Sequence, residues 1–75
     1  MEITKELDTK GTLCPEPILM IKAAMGEVNS GQIVKMEATD AGSVGDMASW
    51  SRRTGHKIVD QKEENGVYTF WVERK

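Results

Sequence analysis

Apolar and polar positions alternate, switch to helical spacing and alternate again along the chain, and these switches mark six elements. Glu2 to Asp8 puts Ile3 and Leu7 on one face of a short polar strand that stops at the turn cluster Asp8-Thr9-Lys10-Gly11. From Pro15 to about Val28, Ile18, Ile21, Met25 and Val28 recur at helical spacing, with Leu19 beside them and Lys22 and Glu27 opposite. The spacing predicts an amphipathic helix closed near Asn29-Ser30-Gly31. Ile33 to Thr39 alternates Val34, Met36 and Ala38 with Lys35 and Glu37, the pattern of a strand covered on one face. Asp40-Ala41-Gly42-Ser43 then breaks the chain, and Ser43 with Asp46 fits a capping box for a helix from about Val44 to Thr54. On that helix Val44, Met47, Ala48 and Ser51 share a face, Arg52 and Arg53 complement its negative end, and Gly55 sits where a terminating glycine belongs. Lys57 to Lys62 and Val67 to Arg74 read as two strands around the hairpin signal Glu64-Asn65-Gly66.

The order β-α-β-α-β-β gives a geometry. Right-handed crossovers between neighbouring parallel strands put both helices on one face of one sheet. The expected fold class is α/β (α+β): a two-layer sandwich, two helices on a four-stranded mixed sheet, in a single domain spanning residues 1–75. Strands and helices reverse direction at each step, so both helix N-termini lie at the end where the first two strands finish. Cys14 and the segment Asp40 to Ser43 should therefore be neighbours, with His56 at the opposite end.

Composition narrows the chemistry. Twelve carboxylates against ten Lys and Arg disfavour an RNA-binding or other nucleic-acid module, because phosphate neutralisation dominates such affinity. One cysteine cannot form an internal disulfide, which excludes a disulfide scaffold and leaves a reducing cytoplasm as the expected location. The longest apolar run, Ile18-Leu19-Met20-Ile21, is far short of the roughly 20 residues that span a bilayer. The acidic start Met1-Glu2-Ile3-Thr4-Lys5-Glu6 lacks the features of a secretory signal.

The most informative stretch is Leu13-Cys14-Pro15-Glu16-Pro17. Pro15 suits the first helical position, Pro17 falls in the first turn where it costs no intrahelical bond, and together they stiffen the helix start beside the Cys14 sulfur. The positive end of a helix favours thiolate and lowers a thiol below its free pKa of about 8.5, while Glu16 opposes this, so modest activation is expected. The bland alternative is a small buried hydrophobe. His56, the lone histidine, is expected too far away for a Cys–His dyad, and one Cys with one distant His cannot build a zinc site. No cofactor or metal is expected. Asp40, Gly42 and Ser43 could line a pocket around the sulfur or serve only as turn and cap. Lys10 and Lys22 could add positive potential near Cys14, with solvated surface the plainer role. The five methionines read as core filler, and Trp71 is expected on the uncovered face of the sheet, opposite to Tyr68, Phe70 and Val72.

The residues Leu7-Asp8, Gly11, Cys14-Pro15-Glu16-Pro17, Ala38-Thr39-Asp40, Asp46 and Gly55-His56 make this chain similar, over nearly its whole length, to the TusA/SirA-like family of small sulfur carriers, relatives of tRNA 2-thiouridine synthesising protein A. Ala41 stands where members commonly have proline. The resemblance implies a cytoplasmic βαβαββ protein, a sulfurtransferase-like carrier whose Cys14 accepts sulfane sulfur as a persulfide from a cysteine desulfurase or rhodanese. It would pass that sulfur to an acceptor protein in tRNA thiolation, cofactor assembly or sulfur metabolism. Pro15 and Pro17 would rigidify the motif around Glu16, and Asp40 would stand in the adjacent loop. No membrane partner is expected, and the acidic balance disfavours direct nucleic-acid binding. The other reading is a regulatory or binding module whose cysteine senses oxidation or is inert.

Overall fold

Asn65 and Gly66 adopt φ of 52° and 78°, the pair of left-handed residues that a two-residue hairpin with the right twist demands. They join β3 (Lys57–Glu64) to β4 (Val67–Glu73) in the computed structural model, which describes residues 1–75. The preceding elements are β1 (Lys5–Asp8), α1 (Glu16–Met25), β2 (Ile33–Ala38) and α2 (Ser43–Thr54), in the expected order. The sheet order is β1-β2-β4-β3, with β1 parallel to β2 and β4 antiparallel to both β2 and β3. Thus β2 and β3 run parallel without being neighbours, and α2 crosses over β4 rather than between adjacent strands. Composition explains the insertion: β4 carries buried Thr69, Phe70 and Val72 and takes the interior of the sheet, whereas β3, polar from Asp60 to Glu64, takes an edge that charge protects from further pairing.

Both helices cover one face. Ile21, Ala24 and Met25 of α1 and Met47 and Trp50 of α2 form one cluster with Val34, Met36 and Ala38 of β2 and Phe70 and Val72 of β4. Beyond the insertion of β4, deviations from the sequence expectation lie at element ends and in the phase of α2. β1 is shorter than expected, and Ile3 before it is 37% exposed. α1 stops at Met25, where the Gly26 and Glu27 N–H groups turn back to the carbonyls of Ala23 and Ala24, although Val28 still reaches the core. On α2 the buried positions are Ser43, Met47 and Trp50, leaving Val44 38% exposed. Burying the indole of Trp50 removes more apolar area from water than burying Val44 would, and this sets the rotation of the helix. No helix is long and apolar enough to cross a membrane.

On the uncovered face Trp71 is half-buried rather than bare. Lys35 from β2 lies over its ring at 5.9 Å, a cation–π contact between directly paired residues.

Candidate functional site

Two loops meet where β1 and β2 end, and side chains of β2's last turn tie them together. Gly11, with φ of 83°, donates its N–H to Thr39 Oγ1 at 2.9 Å. Asp40 does the larger share: its Oδ2 accepts the Cys14 N–H at 3.0 Å and its Oδ1 accepts the Gly42 N–H at 3.0 Å. Its backbone carbonyl accepts the Ser43 N–H at 2.9 Å. One carboxylate therefore fixes the cysteine loop to the start of α2 across 26 residues of sequence. Charge-assisted bonds of this kind are worth about 1.5–3 kcal/mol each, more than a neutral turn contact supplies. The predicted neighbours Cys14 and Asp40 are thus brought together.

The start of α1 differs from expectation by one position. Pro15 occupies the cap, Glu16 the first helical position and buried Pro17 the second. The Glu16 N–H goes to the Leu13 carbonyl at 2.9 Å, the Ile18 N–H goes to Pro15 at 3.1 Å, and neither proline has an N–H to offer. The first turn of α1 therefore presents no free donor to the sulfur. The expected pocket-lining N–H of Gly42 is likewise spent on Asp40.

The start of α2 differs as well. The capping box does not form: Gly42 is the cap residue, no side chain caps the helix, and the fully buried Ser43 hydroxyl has no partner. Asp40, lying before the helix, instead takes the Gly42 N–H on its carboxylate and the Ser43 N–H on its backbone carbonyl, and Asp46 acts on the thiol. As a hydrogen-bond acceptor Asp46 pushes the Cys14 thiol above its ordinary pKa, helped by some loss of hydration and then by the negative charges of Asp46 and Asp40. This corrects the expected activation. The acid that acts most on the thiol is Asp46 rather than Glu16. The sequence held the signal, an acid in the first turn of the helix that opens beside Cys14, but a local cap with Ser43 accounted for it equally well.

Cys14 is exposed at this corner, not packed as a core hydrophobe, and Leu13 beside it is 73% exposed. His56 sits before β3, level with the start of β2, and its Nδ1 accepts the Lys75 N–H at 3.1 Å, so no imidazole serves the sulfur. Lys10 pairs with Glu37 at 3.6 Å and Asp8 at 3.9 Å instead of facing Cys14. What the corner offers is a single reachable thiol, held in place through its own backbone, ringed by acids and without a general base other than carboxylate.

Fold and site together define a small two-layer α+β protein that presents a single exposed thiol at one corner of its sheet. A model of the family described as "Sulfurtransferase TusA" matches residues 5–74, and the chain belongs to the TusA family. It is 42% identical over 74 residues to YrkI of Bacillus subtilis (strain 168), named as a candidate sulfur carrier protein, with 99% of each chain covered. It is 37% identical over 73 residues to the sulfur carrier protein TusA of Allochromatium vinosum, covering 97% of this chain and 96% of the other. A crystal structure of a SirA-like protein from Desulfitobacterium hafniense shares the fold, with a TM-score of 0.80 at 21% identity over 92% of this chain and 95% of that one.

Proposed function

We infer that the protein is a sulfur carrier in which Cys14 holds the cargo as a persulfide. The observation that carries this reading is the exposed thiol clamped at the corner through the Cys14–Asp40 bond. In loading, Cys14 sulfur attacks the outer sulfur of a donor persulfide. A sulfur–sulfur bond forms at Cys14, the donor's own sulfur–sulfur bond breaks, and the thiol proton passes to the departing donor sulfur. Donor persulfide and Cys14 thiol become donor thiol and Cys14 persulfide, with no net oxidation. In delivery, an acceptor thiolate attacks that outer sulfur and Cys14 leaves as thiolate, which recovers a proton.

The acidic surround gives this carrier a character. A raised thiol pKa lowers the thiolate fraction and makes the Cys14 sulfur a poorer leaving group. A partner that brings positive charge to the corner would reverse both effects. Donor and acceptor are therefore expected to be proteins, the donor of cysteine desulfurase or rhodanese type, in the cytoplasm, meeting the carrier through interfaces at the small end of the usual range. Glu16 adds to the acidic rim, and Pro15 and Pro17 stiffen it. Exposure of the thiol speaks against an inert packing role, and its raised pKa speaks against a peroxide sensor, since oxidation follows thiolate character.

Intact-mass measurement after incubation with a desulfurase and cysteine tests the reading. One added sulfur of about 32 Da, removed by reductant and absent in Cys14→Ser, is expected. A wild-type protein that takes up no sulfur from a panel of persulfide donors would falsify it.

A further inference from the structure

Between the two helices, toward their C-terminal ends, lies a concavity of about 460 Å³ that the sulfur chemistry does not use. Ile18, Leu19 and Met25 of α1 give it an apolar wall, and Trp50, only 3% exposed, forms its floor. The indole lies 5.3 Å from the His56 ring at a tilt of 30°, so the two make one aromatic surface. Leu19 is 54% exposed and adds apolar surface to this wall.

The polar groups of the concavity all carry or donate protons. Lys22 and Arg53 stand in the last turns of their helices and line it, with no carboxylate among the lining residues. Neither has an ion-pair partner, since the ion pairs of the protein use only Lys5 and Lys10. Arg52 turns back to Ser49 and takes no part. His56 accepts the Lys75 N–H on Nδ1, so its neutral ring carries its proton on Nε2 and adds a donor. On a chain of formal charge −2, two cations without ion-pair partners and an imidazole donor line one concavity and give it a positive potential that suits an anion.

We propose that this concavity binds a small amphipathic anion, an aromatic or branched aliphatic body bearing a carboxylate or a phosphate. The body packs against Ile18 and Leu19 above buried Trp50 and half-buried His56, and the anionic group meets Lys22, Arg53 and the His56 Nε2–H. The volume falls inside the range of about 300–1,000 Å³ typical of ligand sites built from apolar walls and a few convergent polar groups. Size and wall chemistry favour a small molecule over a polypeptide. Both walls are helices whose backbone groups are bonded internally, so an extended segment finds no main-chain partner there.

The test is a titration of the full chain followed by backbone-amide and indole NMR shifts, using indoleacetate, phenyl phosphate, the neutral alcohol tryptophol and a peptide of glutamate and leucine. Saturable shifts at Leu19, Lys22, Trp50 and His56 with one or both small anions, at a Kd of about 1 mM or tighter, are expected, and the two anions show whether carboxylate or phosphate is preferred. The exposed double variant Lys22→Ala/Arg53→Ala should bind about tenfold more weakly, the loss of charge-assisted bonds. Equal affinity for tryptophol and indoleacetate overturns the proposal, and so does saturation by the peptide with none by either small anion.

Discussion

The two ends of the helical layer carry opposite chemistry. At the N-terminal ends of α1 and α2, Glu16, Asp40 and Asp46 surround an exposed thiol, while at the C-terminal ends Lys22, Arg53 and His56 surround an aromatic floor. Each set complements the local helix dipole, acids at the positive end and bases at the negative end, and so stabilises the helices it flanks. A net charge near neutrality conceals this segregation. The difference teaches that charges suited to helix ends can also bias the protonation of a nearby thiol, and here they favour its protonated form.

The comparison can be broken most severely at the basic end. Trp50→Ala removes the shared floor of core and concavity and should cost about 3–5 kcal/mol, comparable to the whole stability of a domain this small. Urea unfolding would then show little or no native baseline, and a variant with a near-normal midpoint would mean that the indole is not a core element. Asp40→Ala breaks the acidic end by leaving the Cys14 and Gly42 N–H groups without their acceptor, at about 1–3 kcal/mol. Amide hydrogen exchange of the cysteine loop should rise in step with the lowered urea midpoint.

Subtler changes sharpen the contrast. Asp46→Asn keeps the shape but removes the charge that favours the protonated thiol, so the Cys14 pKa falls toward its ordinary value and alkylation by iodoacetamide at neutral pH speeds up severalfold. An unchanged rate would remove Asp46 from the site. The smallest effect is expected at His56, where burial first, then the charges of Arg74 and Lys75, depress the imidazole pKa. The unfolded chain then binds more protons, so the stabilising contribution is present above the unfolded value of about 6.5 and is lost as pH falls through the lower folded value. Unfolding midpoints of the wild type should decline on acidification across that window, and His56→Asn should flatten the slope.

Much of the architecture is written in short-range pattern. The alternation of β2, the Asn65-Gly66 turn and the left-handed Gly55 that ends α2 with φ of 85° each depend on neighbours in sequence, and each is found where the chain indicates. The meeting of Cys14 with Asp40 was also readable, because strand order and helix direction place both loops at one end. The placement of β4 between β2 and β3 was not, since it depends on which strand buries more apolar surface. The phase of α2 was misread for a similar reason. Ser43 looks like a cap beside Asp46, and only the fold reveals that the Ser43 N–H goes to the Asp40 carbonyl and the Asp46 N–H to Gly42. The interhelical concavity needs Leu19, Lys22 and Arg53 from two helices at once, and nothing in either helix alone announces it.

The interior position of β4 has a consequence for biosynthesis. β2 pairs on one side with a strand near the beginning of the chain and on the other with residues 68–73, so the sheet stays split until those residues leave the ribosome. Until then the nascent chain exposes β2's apolar side chains and a cysteine without its scaffold, and folding waits on a pairing between distant segments. The Cys14 corner is thus completed by a strand far from it in sequence.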